Sequence, residues 1–483
     1  MSAVLAALPI VIALALLLLQ AGPVRGALAG VVSAFAIAML AFPAPLPRLL
    51  AAQIDMAPVA LEVALILLGG LILSNLMSAS GAQERLGHWV IAACRNQIRA
   101  VLLVVLGVIP FAESVTGFGI GVVVGIPLLV QIGLSGRRAA VVGLLGLVTV
   151  PWGALAPGTL VASRLAGVDF QGLGVASAWL SGPVFLVAGA GAVIVAFGWR
   201  MALRSAPDLF FAVILLWLGV WGSNTLIGTP LAGVLGSLFT IAILLLRARF
   251  SGPGQRTNKG RLLQESAPYL ILVAGLLAAK ALSLVVSPAF LPALEILGSP
   301  ATWLFLASAT IPMVQKLPAN RARTLTTASA KQWHPIALTT VLFLILGVIL
   351  AASGMSEALA NAGARAGYLY PAIAPWIGAL GGFLTGSNTG ASAMFAASQA
   401  QAAQVVGYPV PTLVALHNVG ASLAMMAAIP KVMMSTRLAE DATGQATDPV
   451  RQRISTSAVF VPVAVINVAI LAILSVLALL LAP

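Results

Sequence analysis

Apolar residues in this chain gather in runs about 20 long, separated by short stretches that hold charges, prolines or glycines. An α-helix needs that length to cross the hydrocarbon core of a bilayer. The runs predict spans near 2–20, 26–42, 58–78, 139–163, 177–199, 208–224, 230–246, 267–288, 301–315, 334–353, 412–434 and 455–482. Two more apolar segments, 100–130 and 371–406, are broken in the middle by glycine and small polar residues. The expected fold is an all-α polytopic membrane protein, with about 12 transmembrane helices plus two re-entrant hairpins. No stretch is left for a separate soluble domain. Residues 2–20 lack a basic start and run long for a leader, so they read as an uncleaved first span.

Basic residues orient the chain. With both broken segments entering and leaving on one side, twenty of the 25 Lys and Arg fall in cytoplasmic loops, among them Arg95, Arg99, Arg137, Arg138, Arg247 and Arg256. Arg48, Arg164 and Arg365 fall outside, and Lys280 and Lys431 lie within spans. That is the positive-inside pattern, and it places both termini on the periplasmic side of a bacterial inner membrane.

The chain also repeats at an offset of 273 residues. Ser80-Gly81-Ala82-Gln83-Glu84-Arg85-Leu86 matches Ser353-Gly354-Met355-Ser356-Glu357-Ala358-Leu359, and Ser114-Val115-Thr116-Gly117 falls on Ser387-Asn388-Thr389-Gly390. Pro157 falls on Pro430. Repeat 1 is read as 1–199 and repeat 2 as 267–483, each with five spans and one hairpin. Residues 200–266 hold two linking spans and a basic cytoplasmic loop. An odd span count and a two-span linker put the copies in opposite orientations. Loop charge agrees: 43–57 has one basic residue and 316–333 has four. Inverted repeats are the architecture of secondary transporters.

Composition adds little to this. Hydrophobic residues make up 60% of the chain and charged ones 8%, far below a soluble surface. The net charge of +13 sits in scattered loops, so no nucleic-acid partner is expected. One cysteine, Cys94, excludes an internal disulfide and a cysteine-based metal site. No spacing resembles a nucleotide loop, a zinc site or a hydrolytic triad, so no cofactor and no enzymatic activity are expected, and an ion gradient is left as the driving force.

The candidate chemistry lies at the hairpin centres. The first reads Pro110-Phe111-Ala112-Glu113-Ser114-Val115-Thr116-Gly117-Phe118-Gly119, and the second Gly381-Gly382-Phe383-Leu384-Thr385-Gly386-Ser387-Asn388-Thr389-Gly390. Irregular backbone at membrane depth is tolerated where it is buried in protein or lines a cavity. A helix restarting there offers free N–H groups to a carboxylate. Ser114, Thr116, Gly117, Ser387, Asn388 and Thr389 are therefore candidate substrate contacts. Glu113, a carboxylate at membrane depth, should be paired or carry a proton, which suits a proton carrier coupled to an anion. Behind the hairpins, Asn418 and Ser422 lie one turn apart and could face the same cavity. His417 beside them could exchange a proton near neutral pH. Lys431 reads as a snorkelling residue near the cytoplasmic boundary. Lys280 sits deeper, where either lysine could balance an acid or the substrate. Gly69-Gly70 reads as a close helix contact.

Phe111-Ala112-Glu113 followed by Gly117-Phe118-Gly119 resembles the F-x-E-x-x-x-G-F-G segment of the lactate permease family. Phe383-Leu384-Thr385-Gly386-Ser387-Asn388-Thr389 resembles its F-L-T-G-S-D-T segment, and Asn418 followed by Pro430 resembles its last conserved stretch. The resemblance covers most of 60–440. It implies proton symport of L-lactate and related 2-hydroxy monocarboxylates such as glycolate, an elevator mechanism and a homodimer. Three positions depart from the pattern. Asn388 stands where the family usually has Asp, Met426 where Lys is expected, and Lys431 where Gln is expected. Alternatives left open are a sodium-coupled carboxylate carrier, the large membrane subunit of a binding-protein-dependent transporter, and, last, a channel or membrane enzyme.

Overall fold

The structure is a computed structural model that describes residues 2–94, 96–117, 119–249, 259–285, 291–444 and 453–482. Arg95, Phe118 and Arg256, singled out above, lie outside the described residues. Every regular element among those described is helical. Among the described residues, nine helices are long and apolar enough to cross a membrane, or up to eleven if each of two bent pairs is one span. Helices suit this setting because all their backbone bonds close within the segment.

Two spans are longer than the apolar runs predicted. Leu46–Ala79 and Ala319–Ala352 each run for 34 residues, so much of 43–57 and 316–333, expected as loops, is helix. Polar and basic residues there continue the helix past the apolar run, and each helix also carries an internal proline, Pro58 or Pro335, where the run was expected to begin. The two long helices lie against each other in opposite directions. Trp333 Nε1 donates to the Ala64 carbonyl at 2.7 Å, Gln53 Nε2 to Ile345 at 3.1 Å, and Asn75 Nδ2 to Ser329 Oγ at 2.8 Å. Each is followed by a short helix, Ala82–Ala92 and Met355–Gly363, opened by a left-handed glycine, Gly81 (φ 71°) and Gly354 (φ 86°).

The broken segments fold as helical hairpins. In the first, Gln97–Leu103, a π-helical turn Val104–Val108 and Ile109–Thr116 form one arm, and Ile120–Gln131 returns beside it. Pro110 has no N–H to give, and the widened turn before it absorbs the missing bond. The arms' far ends meet, since Gln97 Nε2 donates to the Ile132 carbonyl at 3.2 Å. In the second, Tyr370–Thr385 returns as Asn388–Val405, and Tyr370 Oη meets Gln399 Oε1 at 3.2 Å.

The predicted span 139–163 is three pieces: Gly136–Leu145, a 3₁₀ segment Leu147–Leu155 bent 55° from it, and Pro157–Ala166. Pro151 and Gly153 lie in the bend. The span near 412–434 is likewise broken, into Val410–Ala424, the 3₁₀ turn Met425–Ala427 and Ile429–Ala442. Most buried apolar residues of both hairpins belong to one large core, while those of the long helices fall in two others.

Candidate functional site

Both hairpin tips and both broken spans meet at one cavity of about 320 Å³. Glu113 and Gly117 line it from the first tip, and Thr385 to Thr389 from the second. Gly153, Ala154, Pro157 and Gly158 of one broken span and Met425 of the other complete its inner wall. Pro335, Ile336, Thr339 and Thr340 of the second long helix, Leu67 of the first, and Pro23 and Val24 close it. Its volume is at the lower end of ordinary small-molecule sites.

The second tip is built by short-range capping rules. Gly386 (φ 64°) ends one arm in the left-handed conformation, and Ser387 starts the next, its Oγ accepting from the Gly390 amide at 3.2 Å. Thr385 Oγ1 donates to the Gly381 carbonyl at 2.7 Å and accepts from the Ser387 amide at 3.1 Å. Among the described residues nothing accepts from the amides of Asn388 and Thr389, so this helix start keeps the anion-seating donors expected of it.

The first tip differs from expectation. Glu113 fills its own helix start: Oε1 accepts from the Gly119 amide at 3.1 Å and Oε2 from Gly121 at 3.3 Å. Ile120 and Val122 bond the Gly117 and Gly119 carbonyls, so the four amides from Gly119 to Val122 all have acceptors. Glu113 is 2% exposed and is the one ionisable residue lining the cavity among the described residues. The tip fits tightly, and a Cβ on Gly117 (φ 67°) would lie 2.7 Å from that of Ala154. Gly70 packs on the Thr116 carbonyl and Gly69 on Leu304, as close contact requires. Ala154, Leu155 and Ala156 all have positive φ (38°, 65° and 76°), a strained wall beside the tip.

A buried hydrogen-bond network braces the second tip. Asn388 Nδ2 donates to Asn418 Oδ1 at 2.9 Å, and Asn418 Nδ2 donates to Thr159 Oγ1 and Ser177 Oγ, both at 3.0 Å. Thr159 Oγ1 passes on to the Pro151 carbonyl at 2.6 Å. Four helical segments are tied at one amide. Thr159, Ser177, Thr339 and Thr340 escaped the sequence reading. The one hint was Pro157, which marks a helix restart two residues before Thr159.

Other candidates lie elsewhere. Ser114 Oγ turns to Thr149 Oγ1 at 3.3 Å and Thr116 Oγ1 to the Ala112 carbonyl at 2.5 Å; neither lines the cavity. Asn418, Ser422 and His417 are buried behind it. Lys431 does not snorkel: it is 7% exposed, in the first turn of Ile429–Ala442, its stem beside Gly119 and Glu113 within electrostatic reach. A cation at a helix start opposes the dipole, so Glu113 supplies the offsetting charge. Lys280 is exposed and lines a different cavity with Gln171 and Thr229, so it is no partner for this site.

The sequence profile of the L-lactate permease family matches residues 2–267 and 272–475. The chain belongs to that family. It is similar to L-lactate permeases of Salmonella typhimurium (24% identical over 81% of either chain) and Escherichia coli (25% over 80%). It also resembles an Escherichia coli glycolate permease, 26% identical over 87% of either chain. Membership, with the long apolar helices, makes it a multi-pass membrane transport protein.

The fit at Gly158 gives a direct test of the cavity. A Cβ there would lie 2.5 Å from Asn388 Nδ2, so Gly158→Ala must push Asn388 off Asn418. The expected result is substrate affinity weakened about tenfold, roughly the 1.4 kcal/mol of one hydrogen bond, with the fold intact. Unchanged affinity by equilibrium binding would remove Asn388 from the site.

Proposed function

We propose that this protein imports L-lactate, or a close 2-hydroxy monocarboxylate such as glycolate, by proton symport. The observation that carries the reading is the cavity itself, which sets neutral donors opposite one carboxylate. The amides of Asn388 and Thr389 and the nearby hydroxyls suit a small anion, and the names of the relatives give its class. An anion entering beside ionised Glu113 meets like charge, so binding is favoured once Glu113 takes a proton. That mutual dependence is what coupling requires.

The 273-residue offset supports two inverted repeats, 1–199 and 267–483. It maps Leu46–Ala79 onto Ala319–Ala352, and Ala82–Ala92 onto the start of Met355–Gly363. It carries both hairpins and both broken spans onto one another as well. With about 12 spans, both hairpins are re-entrant from opposite faces and both termini are periplasmic in a bacterial inner membrane. The separate cores favour an elevator in which the hairpin core moves against the crossed long helices, in a homodimer.

Purified protein in proteoliposomes is expected to accumulate labelled L-lactate under an inward proton gradient, with or without sodium. Accumulation that demands sodium would replace the proton by the metal ion. No accumulation under any gradient, in protein shown to be folded, would discard the substrate assignment.

A further inference from the structure

The face of Asn388–Val405 that starts at the cavity carries buried polar atoms no protein group satisfies. Asn388, Ser392, Phe395 and Gln399 follow one another three or four residues apart, so they form one stripe along the helix. Asn388 Oδ1, Ser392 Oγ and Gln399 Nε2 have no hydrogen-bond partner among the described residues. The stripe faces Val410–Ala424. Asn388 bonds Asn418 at one end, and the Phe395 ring lies 6.2 Å from the His417 ring midway. His417 is fully buried, and neither ring nitrogen has a partner among the described residues. At the far end Gln399 Oε1 accepts from the Tyr370 hydroxyl, directly beneath Tyr368 and Leu369, which are 78% and 45% exposed.

A buried polar atom left without a partner costs about 1–3 kcal/mol, and native proteins satisfy nearly all of them with protein or ordered water. Five such atoms on one line are too many to be incidental. A rigid apolar packing role would have selected Ala, as at most other positions of this helix. A second substrate site is disfavoured too, since the line is narrow and its residues are almost wholly enclosed.

Resting on the proton-symport reading above, the geometry points to a water-lined proton path from the Tyr370 base of the second hairpin to the cavity. It runs past Gln399, His417 and Ser392 to Asn388. Eleven residues of helix rise about 16 Å, roughly half the hydrocarbon core. The path would therefore join the periplasmic surface to the binding site. His417 and the Tyr370 hydroxyl can each accept and release a proton, and Ser392 and Gln399 hold the bridging waters.

Silver ion reacts with cysteine thiols and is slender enough to follow a single file of water. In a Cys94→Ser background, Ser392→Cys and Gln399→Cys are expected to react with silver at least ten times faster than Ala393→Cys. Ala393 is as deeply buried on the same helix but off the stripe. Reaction is read by mass spectrometry, as protection from later alkylation in denaturant, and needs no transport. Equal rates at all three positions would overturn the path even if the wild-type protein is a proton symporter. A second measurement follows lactate-driven proton entry with a dye trapped in proteoliposomes. Gln399→Leu is expected to slow proton-coupled uptake at least tenfold while lactate exchange stays within about twofold. Coupled uptake at the wild-type rate would overturn the path. Silver-reactive Ser392→Cys and Gln399→Cys variants, alongside a wild-type protein that moves no protons with lactate, would overturn it as well, and would overturn the symport reading on which it rests.

Discussion

Glu113→Gln is expected to abolish proton-driven accumulation of substrate, by at least ~100-fold, while exchange of internal for external substrate persists. Both carboxylate oxygens of Glu113 accept backbone amides, from Gly119 and Gly121, inside the wall of the cavity. Glutamine keeps the size and one acceptor but turns an NH₂ group toward the other amide. One buried N–H is then stranded, at about 1–3 kcal/mol, so the tip is weakened without being dismantled. The neutral side chain also mimics the protonated carboxyl, which lets the anion enter but leaves no proton to carry. Lys431 loses its offsetting charge in the same variant. Glu113→Gln with Lys431→Met is therefore expected to be more stable to heat than Glu113→Gln alone, because it removes a buried unpaired ammonium. The decisive comparison sets gradient-driven uptake against counterflow in the same vesicles. A variant that still concentrates substrate against its gradient would strip Glu113 of the coupling role.

The largest loss of stability is expected at Asn418, a residue that never touches the cavity. Its amide holds Asn388, Thr159 and Ser177, which belong to three other helices, and all four side chains are at least 94% buried. Asn418→Leu keeps the branched shape with added bulk and leaves the Asn388 amide and the Ser177 hydroxyl without this partner, while Thr159 keeps only the Pro151 carbonyl. The expected cost is about 3–5 kcal/mol, with no uptake and a clearly lower melting temperature. Asn388→Ala removes one bond at the rim of the network and should weaken substrate affinity with melting little changed. Asn388→Asp restores the residue usual in the family. Asn418 can turn its amide to donate to that carboxylate and accept from the Thr159 and Ser177 hydroxyls, so the fold should hold. Melting of Asn418→Leu that matches the unsubstituted protein would show that this network does not brace the tip.

Several of these features could be read before the fold was seen. The apolar runs showed a membrane protein of many helices, and the clusters Gly381–Gly390 and Pro110–Gly119 located the two places where helices stop and restart. Glu113, Gly117, Ser387, Asn388 and Thr389 were all drawn from those clusters, and all five line the cavity. Side-chain direction could not be read from the sequence. Ser114, next to Glu113, turns to Thr149, and Thr116, three residues on, folds back on the Ala112 carbonyl. Successive residues on a helix are rotated by about 100°, so neighbours in sequence rarely share a target. Lys431 looked interfacial because its span was drawn unbroken to 434. The break at Ala428 starts a new helix there and tucks its first turn behind Gly119.

The sequence alone determined an all-helical membrane protein, the two places where helices stop and restart at the tips, and the family. These follow from local causes: the length of an apolar run, a glycine free to reverse the chain, a serine able to cap the next helix. Only the tertiary structure decided that Glu113 caps its own hairpin, leaving the second tip as the open donor site. It alone joined Asn388, Asn418, Thr159 and Ser177, partners as far as 259 positions apart. Nothing in a local pattern encodes which distant helix a buried amide will face. That choice is made by packing, when the helices close and every buried polar group must find a partner.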